Sequence, residues 1–188
     1  MKKLNECIKE FYPEYFGLQY YPKNNVAKIH KINEPWGIFS NFAHTRIITG
    51  GICFNTTERL YQMIKFNSIE SQESIYSAKS NPKMIAKHIQ KVQPELIREN
   101  WGEIFIDVMK WCLFLKYQQD DVFKNTLNGS KGLFIVEDQT TFPGKNANCW
   151  GAKLINNEYV GPNLLGRLLM ELRENPTVDK SFENLILI

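Results

Sequence analysis

Between positions 101 and 118 the chain carries Ile104, Phe105, Val108, Met109, Trp111, Cys112, Phe114 and Leu115, a distribution that helical periodicity wraps around nearly every face. A helix apolar on all sides cannot rest on a surface and has to be enclosed by other elements. This one stretch therefore demands a helix-rich core built around it, and it leaves Asp107 and Lys110 in need of partners or an edge. At 188 residues the chain has the size of one domain and can supply the enclosure. A composition 43% hydrophobic and 13% aromatic excludes wholesale disorder. The uninterrupted apolar runs, such as 112–115 and 185–188, fall far short of the roughly 20 residues a spanning helix needs, so no membrane segment is expected.

Around that helix the pattern mixes short strands with amphipathic helices. Residues 2–10 suit a short helix stopped before Pro13, and 26–32 alternate like a strand. Residues 45–49 and 52–55 flank Gly50-Gly51, a pair that supplies the positive φ angles of a tight hairpin turn. Asn55, Thr56 or Thr57 can cap a helix over 57–66, and Ser80 or Asn81 with Pro82 marks another helix start. A short helix near 121–127, a strand over 132–137 and a polar loop region over 138–160 follow. Gly161-Pro162 opens a last helix whose core face is Leu164, Leu165, Leu168 and Leu172, and Pro176 ends it. The apolar residues 185–188 should dock rather than stay in water. The pattern predicts an α+β fold, a single compact, mostly helical domain with a small sheet. Residues 1–32 read as an N-terminal extension packed on a domain at 33–175, with a tail at 176–188.

Chemistry is constrained by what is scarce. Cys7, Cys53, Cys112 and Cys149 form no C-x-x-C pair and lie far from metal-ligand spacing, so they are expected to be buried thiols and no metal site is expected. The N-terminus lacks an apolar secretory core, which points to the cytoplasm. Only His30, His44 and His88 are present, so acid–base work falls to carboxylates. Glu58, Gln62 and Lys65 follow at i, i+4 and i+7 and share one helical stripe, with Leu60, Met63 and Ile64 on the other side. Such a stripe is either a solvated face or a carboxylate and a lysine lining a cleft. A carboxylate about 4 Å from a developing cation is worth at most about 4 kcal/mol at an effective dielectric of 20. Phe39, Ser40, Asn41 and Phe42 set polar side chains among aromatics, as a pocket for a planar ring does, and as a core-lining turn also does. Lys79, Lys83, Lys87 and Lys91 recur every fourth residue, either as a solvated face or as a phosphate-tracking stripe.

Taken in order, these segments fall into a pattern. Gly37-x-Phe39-Ser40-Asn41-Phe42, Thr57-Glu58-x-x-Tyr61-Gln62-x-x-Lys65, Asn100-Trp101 with Val108-Met109 and Lys116-Tyr117, then Trp150-Gly151, and finally Gly161-x-Asn163-x-Leu165-Gly166-x-x-Leu169-Met170 with Arg173, resemble the YbiA-like, or NADAR, N-glycosidases. The resemblance runs over residues 36–173. It implies an α+β fold that works without metal or cofactor and an enzyme that cleaves a C–N glycosidic bond. The ligands it implies are ADP-ribose-like or ribose-phosphate moieties. ADP-ribose on guanine in DNA or RNA is the foremost substrate, and phosphoribosylamino-pyrimidine intermediates of riboflavin synthesis are the alternative. By the same resemblance Glu58 is the central acid and Lys65 the lysine two turns on, acting on phosphate or leaving base or attacking the sugar as a Schiff base. Asn41, Trp101, Trp150 and Asn163 would hold ribose, base or phosphate, Phe42 would wall the pocket and Glu137 would lie at its rim. Phe39, Ser40, Arg59, Gln62 and Gly151 complete the implied binding set. The chain departs from the family at Arg59, where a histidine is usual, at Lys153, where a glycine is usual, and before Trp150, where an acidic residue is usual. The last departure makes a non-catalytic ADP-ribose or nucleotide-binding module the reading from a different class.

Overall fold

The computed structural model describes residues 3–188. Along the chain the elements are α1 (Leu4–Phe11), β1 (Gln19–Pro22), β2 (Val26–Ile29), β3 (Ile47–Thr49), β4 (Ile52–Phe54), α2 (Thr57–Ile64), α3 (Ile69–Ser77), α4 (Pro82–Val92), α5 (Trp101–Gln119), α6 (Asp121–Gly129), β5 (Phe134–Glu137), β6 (Lys153–Ile155), β7 (Glu158–Gly161) and α7 (Leu164–Glu174). Helices dominate and the sheets are small, as the α+β pattern predicts. The chain forms two compact units. One contains the residues up to Ala43 together with Val122–Pro176, and the other contains His44–Asp121 with Thr177–Ile188.

In the second unit β3 and β4 make the predicted hairpin, with Gly50 at φ +58° and Gly51 at φ +75°. Ile47 and Phe54 are buried, whereas Cys53 points outward from β4 and is exposed, contrary to the buried thiol expected there. Strand alternation is the cause, because the face opposite Phe54 is the solvent face. Thr56 caps α2 by accepting from the Arg59 amide at 3.1 Å. All eight residues of α2 are buried, and α3, α4 and α5 pack against it. The helix stops at Ile64, two residues short of the sequence expectation, because Phe66 turns out to bridge Ile97. Buried residues of α5 such as Phe105, Val108, Met109, Trp111 and Cys112 cover most of its circumference, as the sequence requires. Asp107 meets Lys180 at 2.7 Å. The tail docks within this unit, its Leu185 carbonyl accepting from Gln72 at 2.9 Å and from Arg98 at 2.7 Å.

In the first unit β2 and β5 pair in parallel, and β1, β7 and β6 form an antiparallel sheet in that order. Tyr21, Val136, Ala152 and Tyr159 form a buried cluster there, and α7 packs against β5. The segment 138–160 is therefore not simply a loop, since it contains β6 and most of β7, joined by a turn with Asn156 at φ +48° and Asn157 at φ +66°. Position 2 of the predicted N-terminal helix lies outside the described residues. Among the described residues no helix is long and apolar enough to cross a membrane.

Candidate active site

The helix that follows the β3–β4 hairpin in the second unit carries the predicted Glu58, Gln62 and Lys65 stripe. α2 starts at Thr57, behind the Thr56 cap, which places Glu58 in its first turn. Four residues on, Gln62 donates from Nε2 to the Glu58 carboxylate at 2.9 Å. Lys65 follows the last helical residue but keeps helical backbone angles, φ −58° and ψ −27°, so the stripe continues through it. Its Nζ donates to Gln90 Oε1 of α4 at 2.6 Å. The stripe is not a solvated face: Glu58 is 4% and Gln62 8% exposed, and Lys65 is half-buried. Tyr61 of α2 packs on Trp101 at the start of α5, their ring centroids 5.2 Å apart.

Burial sets the electrostatics. Removing Glu58 from water pushes its carboxyl above the usual range, against the opposing pull of Lys83, the Gln62 hydrogen bond and Lys65. Burial also pulls the Lys65 ammonium down to about 8, with Glu58 opposing. Both groups are thus moved toward their neutral forms. Such an amine is neutral in roughly a tenth of molecules at pH 7, so it is available as a nucleophile, and a carboxyl of raised affinity for protons suits general acid–base exchange.

Arg59 has a different occupation. Its guanidinium donates to Asn55 Oδ1 and to the carbonyls of Ile75, Tyr76 and Ala78, which holds the end of α3. Four of its five N–H groups are spent on the fold. A surface cavity of about 610 Å³ lined by Gly51, Cys53, Glu73, Tyr76 and Ile188 contains none of the predicted residues.

The other predicted residues belong to the first unit, and most of their polar atoms serve the main chain. Asn163 is fully buried in a left-handed conformation, φ +50° and ψ +42°. It accepts from the Glu137 amide at 3.0 Å and donates to the Ile135 carbonyl at 2.8 Å. A Cβ on Gly151 would lie 2.5 Å from the Glu137 carbonyl, so only glycine allows this approach. Half-buried Trp150 is fixed through its backbone, its amide donating to Asn148 Oδ1 at 2.9 Å and its carbonyl accepting from Leu165 at 3.1 Å. The Glu137 carboxylate meets Gln139 Nε2 at 3.4 Å. Phe39 is 0% exposed, stacked on Trp36 and set edge-on to Phe123, which makes it a core ring. Ser40 Oγ accepts from the Phe42 amide at 3.2 Å. Asn41 is buried and Phe42 half-buried.

Sequence reasoning missed Gln90. It falls between Lys87 and Lys91, outside the four-residue lysine repeat, and carries no charge. The available signal was its place seven residues after Lys83 on one helical face.

The α2 stripe brings a buried carboxyl, an amide and an amine together, and comparison with known proteins gives the family. Residues 27–175 match the NADAR domain, and the chain belongs to the NADAR family. It is 28% identical to N-glycosidase YbiA of Escherichia coli strain K12, over 87% of this chain and 96% of that protein. It is 31% identical to the chloroplastic riboflavin biosynthesis protein PYRR of Zea mays, over 80% of this chain and 25% of that longer protein. The NMR structure of E. coli YbiA superposes with a TM-score of 0.64 at 29% identity, covering 80% of this chain and 83% of that one. Among the described residues no group of three or more His, Cys, Asp or Glu is placed to hold a metal ion.

Proposed function

We propose that this protein is an N-glycosyl hydrolase that cleaves the C–N bond between a ribose, borne as ADP-ribose or ribose phosphate, and a nucleobase-like amine, with ADP-ribose on guanine in nucleic acid as the foremost substrate. The observation that carries the proposal is the buried α2 stripe, on which Glu58 and Lys65 are both driven toward neutral forms. In this mechanism the neutral Lys65 amine forms a bond to the anomeric carbon as the bond to the base breaks, and the Glu58 carboxyl gives its proton to the leaving nitrogen. The carboxylate so formed takes a proton from the new amine and gives it to the ring oxygen as the sugar ring opens to a protonated Schiff base with Lys65, and water adds to the imine carbon, losing a proton to Glu58. Collapse frees the lysine and the sugar aldehyde. The balance is one water consumed, one free base and one free sugar made.

The lysine stripe supports an anionic substrate. Lys79, Lys87 and Lys91 are exposed and Lys83 is half-buried beside the Glu58 stripe, a spacing that suits phosphates. A second reading, clearance of phosphoribosylamino-pyrimidines, is favoured by the riboflavin biosynthesis names of the plant and Vibrio vulnificus relatives. The test is incubation of purified protein with a guanine-ADP-ribosylated oligonucleotide and, in parallel, with a phosphoribosylamino-pyrimidine, both followed by mass. Free ADP-ribose released by the wild type and not by Glu58→Gln supports the first reading; cleavage of the small molecule alone selects the second. Binding of either ligand with its return intact would make the protein a nucleotide reader instead.

A further inference from the structure

We propose that Gln90 is a positioning residue for the reaction: its amide oxygen, presented from α4, aims the Lys65 amine without placing a charge beside it. The inference rests on the role given to Lys65 above and concerns a residue outside every motif that marks the family in this chain.

The geometry is direct. Lys65 sits where α2 ends, and a lysine has four rotatable side-chain bonds and no preferred direction of its own. Two contacts fix it here: the hydrogen bond to Gln90 Oε1 at 2.6 Å and the approach of Nζ to the Phe66 ring, 5.7 Å from its centroid. Gln90 is half-buried on a helix packed against α2, so its own side chain is restrained by the interface it belongs to.

The chemistry of the acceptor matters as much as its place. A lysine that cycles between ammonium, amine and Schiff base needs an acceptor that tolerates each state. An amide oxygen accepts from both the charged and the neutral nitrogen, whereas a carboxylate would favour the ammonium and withhold the nucleophile. The surroundings leave this neutrality decisive. Glu58, on the same stripe, opposes the downward pull of burial on the Lys65 amine, and Lys83 of α4 opposes the upward pull of burial on Glu58 in turn. Arg98 directs its guanidinium to the Ile64 and Leu185 carbonyls. From α3, Gln72 is bound to the Phe66 and Leu185 carbonyls. From α5, Cys112 is a buried thiol whose titration is pushed well up. Lys87, His88 and Lys91 of α4 lie exposed to solvent.

Two variants and two readouts test the proposal. In Gln90→Glu the limb of the kcat–pH profile that reports the Lys65 amine moves up by about one pH unit or more. In Gln90→Leu, which fills the space without accepting, kcat falls roughly tenfold while KM stays within about twofold. Independently of turnover, the rate at which trace acetic anhydride acylates Lys65, mapped by peptide mass across pH, has a higher midpoint in Gln90→Glu than in the wild type. An unmoved profile and midpoint in Gln90→Glu overturn the proposal. So does a Gln90→Leu protein that melts earlier but keeps its kcat, which would make Gln90 a packing residue. A wild-type protein that cleaves neither substrate contradicts the functional assignment instead, and there the acylation midpoint still decides whether Gln90 governs the amine.

Discussion

The α2 stripe and the β5–α7 junction both bury polar side chains, yet they use them in opposite ways. At the junction, Asn163 binds the main chain of Ile135 and Glu137, and the close approaches at Gly151 and Gly166 leave no room for a side chain. Every such bond satisfies a peptide group, so the polarity is consumed in fixing backbone. On α2, Glu58 and Lys65 are bound by the side-chain amides of Gln62 and Gln90. Burial is the largest influence on both, and Lys83 and their mutual attraction oppose it only in part. Buried polarity spent on peptides makes scaffold; buried polarity held by neutral amides keeps its reactivity.

This contrast fails most visibly if chemistry and stability cannot be separated by mutation. Glu58→Gln and Lys65→Ala should each lower kcat by roughly a hundredfold or more, with melting temperatures at or above that of the wild type, because each removes a costly buried ionisable group. Steady-state kinetics alongside thermal melts check both halves. At the junction the order reverses. Asn163→Ala leaves the Glu137 amide and the Ile135 carbonyl unpaired in the core and should cost roughly 3 kcal/mol in denaturant unfolding. Gly166→Ala, whose Cβ would fall 2.0 Å from the Ile135 carbonyl, should destabilise by about 1–3 kcal/mol.

The buried lysines sharpen the comparison through pH. Burial holds Lys65 and the fully buried Lys116 at about 8 in the folded chain, against 10.5 when unperturbed. Between those values the unfolded chain binds more protons, so unfolding free energy rises with pH across that window, and below about 8 the cost of the buried charges is fully present. Lys116→Met should flatten part of the rise, which urea titrations at pH 7.5 and 10 would detect. The smallest effect belongs to the surface: Lys87→Ala and Lys91→Ala should leave stability alone and each reduce the salt slope of oligonucleotide binding by about one.

How much of this was legible in the sequence varied with how much one side chain had to reveal. The enclosure of α5 followed from apolar residues on every face, and the β3–β4 hairpin followed from two adjacent glycines. Strands β1, β6 and β7 were missed because each is three or four residues long and β1 buries only Tyr21. The left-handed Asn156-Asn157 turn between β6 and β7 was the overlooked sign. Periodicity placed Glu58, Gln62 and Lys65 on one line, but their burial depends on α3, α4 and α5, which no local pattern encodes. Arg59 and Phe39 carried the right chemistry for a ligand and are instead engaged by carbonyls and by neighbouring rings.

The central assignment, a Lys65 amine made reactive by burial beside Glu58, is tested most directly by quenching turnover of the ADP-ribosylated oligonucleotide with borohydride and mapping the protein by peptide mass. A reduced sugar adduct on the peptide containing Lys65, absent without borohydride and absent in Lys65→Ala, is the expected result. Efficient cleavage with no adduct, or undiminished turnover by Lys65→Ala, would contradict it.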